Sequence, residues 1–285
     1  MKRHEFYAFV APSVIIMVTL MIVPLFFTIY LSFTAYTYGQ IPRFMGLDNY
    51  INALQTPRFW NSIRFTLLYM GVAIPIQILI GFIMALLLYK VKKLQGLMIS
   101  TALLPNVVTP VVGTLIFSWL FQDKWGFYSW LLSLVGIKIN FLASVSGARA
   151  LLILHAIWSA TPFPFLVLYA GLQGISREQF ESAQLDGANW LQQVFYIVIP
   201  NLAPLFVFIA MINIMDAYRV FDPVYVMTRG GPGSATESIV FYNYMVAFSQ
   251  LRLGYGSAIS ILTILGILVL LVPFLVRTYR QQTRG

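Results

Sequence analysis

Three features of this sequence predict an all-α, polytopic membrane protein with six transmembrane helices and one short helix in a cytoplasmic loop. Of its 285 residues, 59% are hydrophobic and only 9% charged, and the mean hydropathy is +0.81. A soluble fold of that length needs more polar surface than this composition supplies. Apolar stretches of about 20 residues, enough to cross a hydrocarbon core about 30 Å thick, recur along the chain. No internal repeat or low-complexity tract divides it, so one transmembrane domain over residues 1–285 is the simplest partition.

The first apolar run gives a span over 9–33. It is too long for a signal-peptide core and meets no A-x-A site before polar sequence, so it reads as an uncleaved anchor. The second span, 65–89, ends at the basic residues Lys90, Lys92 and Lys93. The third, 97–121, carries Pro105 and Pro110; the fourth, 150–172, carries Pro162 and Pro164; the fifth, 198–220, carries Pro200 and Pro204. A carbonyl freed by proline in lipid needs a neighbour or a wet cavity, so these three spans are expected inside a bundle, although simple kinking accounts for any one proline. The sixth span covers 256–276.

An even number of spans puts both termini on one side. With the N-terminus inside, the cytoplasmic segments are both tails, the turn at 90–93 and the loop 173–197. They hold Lys2, Arg3, Lys90, Lys92, Lys93, Arg177, Arg277, Arg280 and Arg284. The longer outer loops, 34–64, 122–149 and 221–255, hold Arg43, Arg58, Arg64, Lys124, Lys138, Arg149, Arg229 and Arg252. Positive charge is therefore denser inside, which favours this orientation. The formal charge of +9 does not point to nucleic acid, because its cations are scattered through short loops with no basic stripe. The absence of cysteine excludes disulfides, thiolate metal sites and cysteine nucleophiles.

Within the loop 173–197, Ser176 with Gln179 three residues on makes a capping box, so a helix is expected from Arg177 to the Asp186-Gly187 turn. Phe180, Ala183 and Gly187 share one face of it, a compact face suited to docking in a partner's groove. Lying flat on anionic lipid is the alternative, and the acidic balance of Glu178, Glu181 and Asp186 against Arg177 speaks against it.

Glu181-Ser182-Ala183, two residues, Asp186-Gly187-Ala188, then Ile197 and Pro200 resembles the EAA loop of the membrane subunits of bacterial ABC importers. Ser182 replaces the usual second alanine, a small-for-small change. FMGLDNY at 44–50, LLP at 103–105, FDPVY at 221–225, TRGGPG at 228–233 and Thr236-Glu237 resemble sugar-importer permeases of the maltose-transporter type. This resemblance implies an assembly with a second homologous permease subunit, two ATPase subunits and an extracytoplasmic solute-binding protein in a lipid membrane. It also implies that Glu181, Ala183, Asp186, Gly187 and Ala188 couple to the ATPase. For Asp186 a local cap is the plainer role, and both can hold.

Polar residues inside spans are costly and default to functional candidates. His155, Trp158, Ser159 and Thr161 in the fourth span, and Asn213, Asp216, Tyr218 and Arg219 in the fifth, are of this kind. In the family that the chain resembles, the sugar is held by these two spans, at positions that land near Trp158–Phe163 and Asn213–Arg219. The expected substrate-binding residues are thus Trp158, Ser159, Phe163, Asn213, Asp216, Tyr218 and Arg219. Amides and hydroxyls suit a sugar's hydroxyls, and aromatic faces suit its C–H surface. Asp216 and Arg219, three apart, form either an ion pair at the outer end of the span or contacts to solute. His155 is expected as a hydrogen-bonded packing residue.

Two rival classes are weaker. An ion-coupled secondary transporter acting alone needs buried acids along a path and usually repeats, and only Asp216 is available. A membrane enzyme has no H-E-x-x-H and no G-x-S-x-G here. The GGPG turn at 230–233 lacks the spacing of a phosphate loop, and without a Walker lysine the chain is expected not to hydrolyse ATP. No cofactor is expected, and the resemblance to sugar-importer permeases implies a sugar, polyol or glycerol phosphate as solute.

Overall fold

The computed structural model describes residues 3–91, 93–122, 125–136 and 140–282. Lys2, Lys92, Lys124, Lys138 and Arg284, which carry part of the charge asymmetry, lie outside them. In chain order the helices are α1 (Arg3–Ser32), α2 (Asp48–Gln55), α3 (Pro57–Lys90), α4 (Gln95–Val107), α5 (Pro110–Leu120), α6 (Phe127–Leu134), α7 (Val145–Ala160) and α8 (Pro162–Gln173). They continue with α9 (Arg177–Leu185), α10 (Trp190–Gln193), α11 (Ile199–Tyr218), α12 (Ile239–Tyr244) and α13 (Leu253–Gln282).

Among the described residues, five stretches are long and apolar enough to cross a membrane: Phe9–Ser32, Pro57–Lys90, Val145–Gln173, Trp190–Tyr218 and Leu253–Val276. A sixth arises when α4 and α5, which meet at a bend of 95°, count as one span. The sequence predicts a continuous run there, over 97–121. Pro110 explains the break: its ring disfavours helical backbone at the preceding residue, and Thr109 is extended at φ −56°, ψ 139°. Pro162 starts α8 without such a break: Thr161 ahead of it keeps helical backbone at φ −57°, ψ −32°, and α7 and α8 run on as one stretch. Ahead of Pro200 the chain widens into a π-helical turn over Val194–Val198, where a straight α-helix would drive the proline ring against a carbonyl one turn back.

The chain divides into two compact units. In the first, Met1–Trp60 with Tyr242–Gly266, strands Thr34–Ala35 and Arg43–Phe44 pair antiparallel just after α1. Asn49, from the FMGLDNY stretch, is 4% exposed and donates through Nδ2 to the carbonyls of Ser32 and Thr34, each at 2.9 Å. That asparagine replaces the partners lost where α1 ends.

The second unit, Asn61–Phe241 with Ile267–Gly285, holds a core built on α8 against α11. Phe165, Leu168, Leu172, Val198, Leu202 and Ile209 are all buried there. Gly81 of α3 lets the backbones touch: a Cβ on it would lie 2.8 Å from the Phe165 amide nitrogen and 2.8 Å from Pro164 Cβ. The TRGGPG turn is tied down by side chains, with Thr236 Oγ1 donating to the Gly231 carbonyl at 2.7 Å and Arg149 Nε to the Ala235 carbonyl at 3.0 Å.

Candidate functional site

The loop helix α9 begins after Ser176, as the sequence predicts, but no capping box forms. Ser176 makes no side-chain cap bond, and Gln179 Oε1 instead accepts from Asn201 Nδ2 at 3.1 Å. The far end closes as a Schellman turn. Gly187 donates to the Gln184 carbonyl at 3.1 Å and Ala188 to the Ala183 carbonyl at 2.8 Å, with Gly187 left-handed at φ +80°. Asp186 is therefore the C-cap of α9 and not an N-cap. The next helix is capped by Asn189, whose Oδ1 accepts from the Gln192 amide at 2.9 Å while Gln192 Oε1 accepts from the Asn189 amide at 2.7 Å. The N-x-x-Q spacing ahead of an apolar run was the available signal for it.

The expected docking face also needs correction. Phe180 is only 8% exposed, belongs to the unit's own core, and lies against Tyr89 with ring centroids 6.2 Å apart. The burial of one aromatic ring outweighs its presentation to a partner, so this face anchors α9. What α9 leaves in the open is Glu181, Ser182, Leu185 (89% exposed), Asp186 and Gly187, with Ala183 and Ala188 half-buried. Nothing lies within 4 Å of the place a Gly187 Cβ would take.

A cavity of about 900 Å³ opens among α3, the α4–α5 bend, α7, α8 and α11. Trp158, Ser159, Phe163, Asn213, Asp216 and Arg219 all line it. Tyr218 does not; it is 7% exposed, and at 100° per residue it lies some 200° round α11 from Asp216. Asp216 and Arg219 form the ion pair, Oδ1 to Nη2 at 2.8 Å, and Arg219 Nε also donates to the Met215 carbonyl at 3.1 Å. Both side chains are exposed, so the pair itself adds little stability.

Two buried relays frame the cavity. Gln77 of α3 donates through Nε2 to the Ala156 carbonyl at 3.0 Å, and its Oε1 accepts from Asn213 Nδ2 at 3.2 Å. Thr114 of α5 donates through Oγ1 to the Pro110 carbonyl at 2.7 Å and stands 3.2 Å from His155 Nε2. His155 is thus hydrogen-bonded and packed, in T-shaped contact with Phe117, and lines the cavity as well. Gln77 and Thr114 are the residues that sequence reasoning missed. A glutamine inside the apolar run 65–89 was a signal for the first. Among the described residues no group of three or more His, Cys, Asp or Glu side chains could hold a metal ion.

Polar and apolar side chains together line the cavity, most of its walls belong to helices long and apolar enough to cross a membrane, and α9 carries open carboxylates. Residues 53–284 match the family described as "Binding-protein-dependent transport system inner membrane component". The chain belongs to this family of ABC transporter permeases and is a multi-pass membrane protein. It is 33% identical, over 95% of its length and 89% of the relative's, to the probable ABC transporter permease protein y4oQ of Sinorhizobium fredii. It is 31% identical, over 94% of its length and 92% of the relative's, to the trehalose/maltose transport system permease protein MalF of Thermococcus litoralis. Its fold matches a crystal structure of a bacterial ABC transporter involved in the import of alginate, at TM-score 0.81 and 22% identity, covering 97% of this chain and 95% of that one.

Proposed function

We propose that this permease carries a sugar or related polyhydroxyl solute inward, delivered by an extracytoplasmic binding protein and driven by ATP hydrolysis on partner subunits. What carries the reading is the relative whose name specifies trehalose/maltose transport, similar along nearly the whole chain. The lining of the cavity supports it, since Asn213 and Ser159 suit hydroxyls and Trp158 and Phe163 suit a sugar's C–H faces.

In this reading residues 1–285 act as one transmembrane permease domain in a bacterial inner membrane, with both termini cytoplasmic, paired with a second homologous permease and two ATPase subunits. The loop 173–197 couples them. Glu181, Asp186 and Gly187 meet the ATPase, Ala183 on the helix and Ala188 in the turn after it keep that contact slim, and Phe180 fixes α9 from behind. Trp158, Ser159, Phe163, Asn213, Asp216 and Arg219 form the solute path, with Tyr218 behind it as support. The chain itself hydrolyses nothing.

The test is co-purification of the tagged chain in mild detergent with mass spectrometry of what stays bound. An ATPase and a second six-span permease are expected. A chain that runs alone and moves solute into liposomes without ATP overturns the reading.

A further inference from the structure

By span counting, the segment between α5 and α7 is an outer loop, yet from Lys124 to Lys138 no intervening residue carries a charge. The run reads WGFYSWLLSLVGI, and α6 forms within it. None of the residues of α6 is buried. Phe127, Trp130, Leu131 and Leu134 fall at i, i+3, i+4 and i+7, which puts them on one face of the helix, and each is at least 45% exposed. Water is a poor solvent for such a stripe, so something apolar covers it.

The other side of α6 is held by the end of α5. The Gly126 amide donates to the Gln122 carbonyl at 2.8 Å, in a turn so tight that a Cβ on Gly126 would strike the carbonyl oxygens of Gln122 and Leu120. Tyr128 stacks on Phe121 with ring centroids 4.7 Å apart, and Ser129 Oγ donates to the Phe121 carbonyl at 3.1 Å. These ties keep α6 near the depth at which α5 ends. With α4, α5 makes up a membrane span, and its own exposed stripe, Val112, Ile116 and Trp119, runs up to this turn. Along the chain, the stripe on α6 continues that lipid-facing surface.

The polar atoms of the run favour lipid over a protein partner. Ser133 Oγ donates to the Trp130 carbonyl at 2.6 Å, so with Ser129 both serine protons are spent within the chain. What remains is the Tyr128 hydroxyl and the indole N–H groups of Trp125 and Trp130, on side chains with an apolar body and one polar edge. Such side chains collect where a bilayer meets water. A helix of eight residues rises about 12 Å, too short to cross a hydrocarbon core about 30 Å thick.

We infer that α6 is a non-spanning membrane anchor, seated at the boundary of head groups and acyl chains in the leaflet that α5 reaches at Leu120, with lipid as the partner of Phe127, Trp130, Leu131 and Leu134. This goes beyond the transport reading and does not rest on it. A soluble partner would leave the stripe in water each time it detached, whereas lipid covers it throughout.

The chain contains no cysteine, so a single introduced one can carry a nitroxide label. Leu131→Cys and Leu134→Cys are made separately, both at exposed positions, with Gln40→Cys in the exposed turn between the two short strands as the water reference. The transporter, as it purifies from the membrane, is labelled in nanodiscs of phosphatidylethanolamine and phosphatidylglycerol. The unaltered transporter, treated alike, gives the background from other chains. Electron paramagnetic resonance then compares collisions of the label with oxygen, which concentrates in lipid, and with a neutral nickel chelate, which stays in water. Oxygen is expected to outweigh the nickel chelate at 131 and 134, at a depth of about 5–10 Å, with the order reversed at Gln40. Nickel collisions that exceed those of oxygen at either position put α6 in water and overturn the inference. Weak collisions with both reagents at either position seat α6 against a protein chain and overturn it as well.

Discussion

The loop helix α9 and the cavity are built on opposite plans. α9 is a local object: its start, its left-handed end at Gly187 and its exposed carboxylates all lie within twelve consecutive residues, 176–187. The cavity is assembled from distant pieces, and its Gln77–Asn213 bond joins residues 136 positions apart. The contrast teaches that a contiguous contact surface can be written as a motif. A hole can only be written as scattered exceptions to an apolar rule.

The sharpest way to break this contrast is to cut α9 loose from its anchor. Phe180→Ala removes a buried ring from the core and is expected to destabilise the unit by about 3–5 kcal/mol. A thermal melt of the detergent-purified transporter checks it, and an unchanged melt would mean that α9 is not held from behind. Glu181→Lys reverses a charge on the open face and should leave the melt unmoved. ATP-driven uptake should fall roughly 30-fold, as expected for loss of a desolvated charge contact of about 2 kcal/mol. Full uptake in that variant removes Glu181 from the coupling surface.

Smaller effects belong to the cavity. Asn213→Ala leaves Gln77 Oε1 unpaired, at a cost of about 1–3 kcal/mol, and is expected to weaken solute binding roughly tenfold with the complex intact. Unchanged binding would sever the relay from the solute path. Least affected should be Ser159→Ala, because the Ser159 hydroxyl reaches the Ala156 carbonyl at a long 3.4 Å; its melt is expected to shift by less than about 0.5 kcal/mol of stability.

Legibility in the sequence followed the same division. The boundaries of α9 and its Asp-Gly end were readable because a glycine with φ +80° follows from local sterics alone. Two local readings failed where tertiary partners intervened: Asn201 drew Gln179 away from the cap, and the core drew Phe180 inward. In the cavity, Trp158, Ser159, Asn213, Asp216 and Arg219 were visible as polar or aromatic exceptions inside apolar spans, and Phe163 through the family resemblance. Gln77, though itself a polar exception in its run, and Thr114 were passed over, since the meaning of each depends on a helix elsewhere in the chain. Tyr218 was drawn in by its neighbours in sequence, though it sits on the wrong side of α11.

The bend between α4 and α5 bears on how far a solute must travel out of water. Helices of 13 and 11 residues rise about 20 and 17 Å, and at a bend of 95° they reach about 24 Å from end to end. That falls short of a hydrocarbon core about 30 Å thick. Val108 and Pro110, at the bend, lie on the cavity wall. The proline break thus turns a corner between two short helices, and not the flank of one straight helix, toward the cavity.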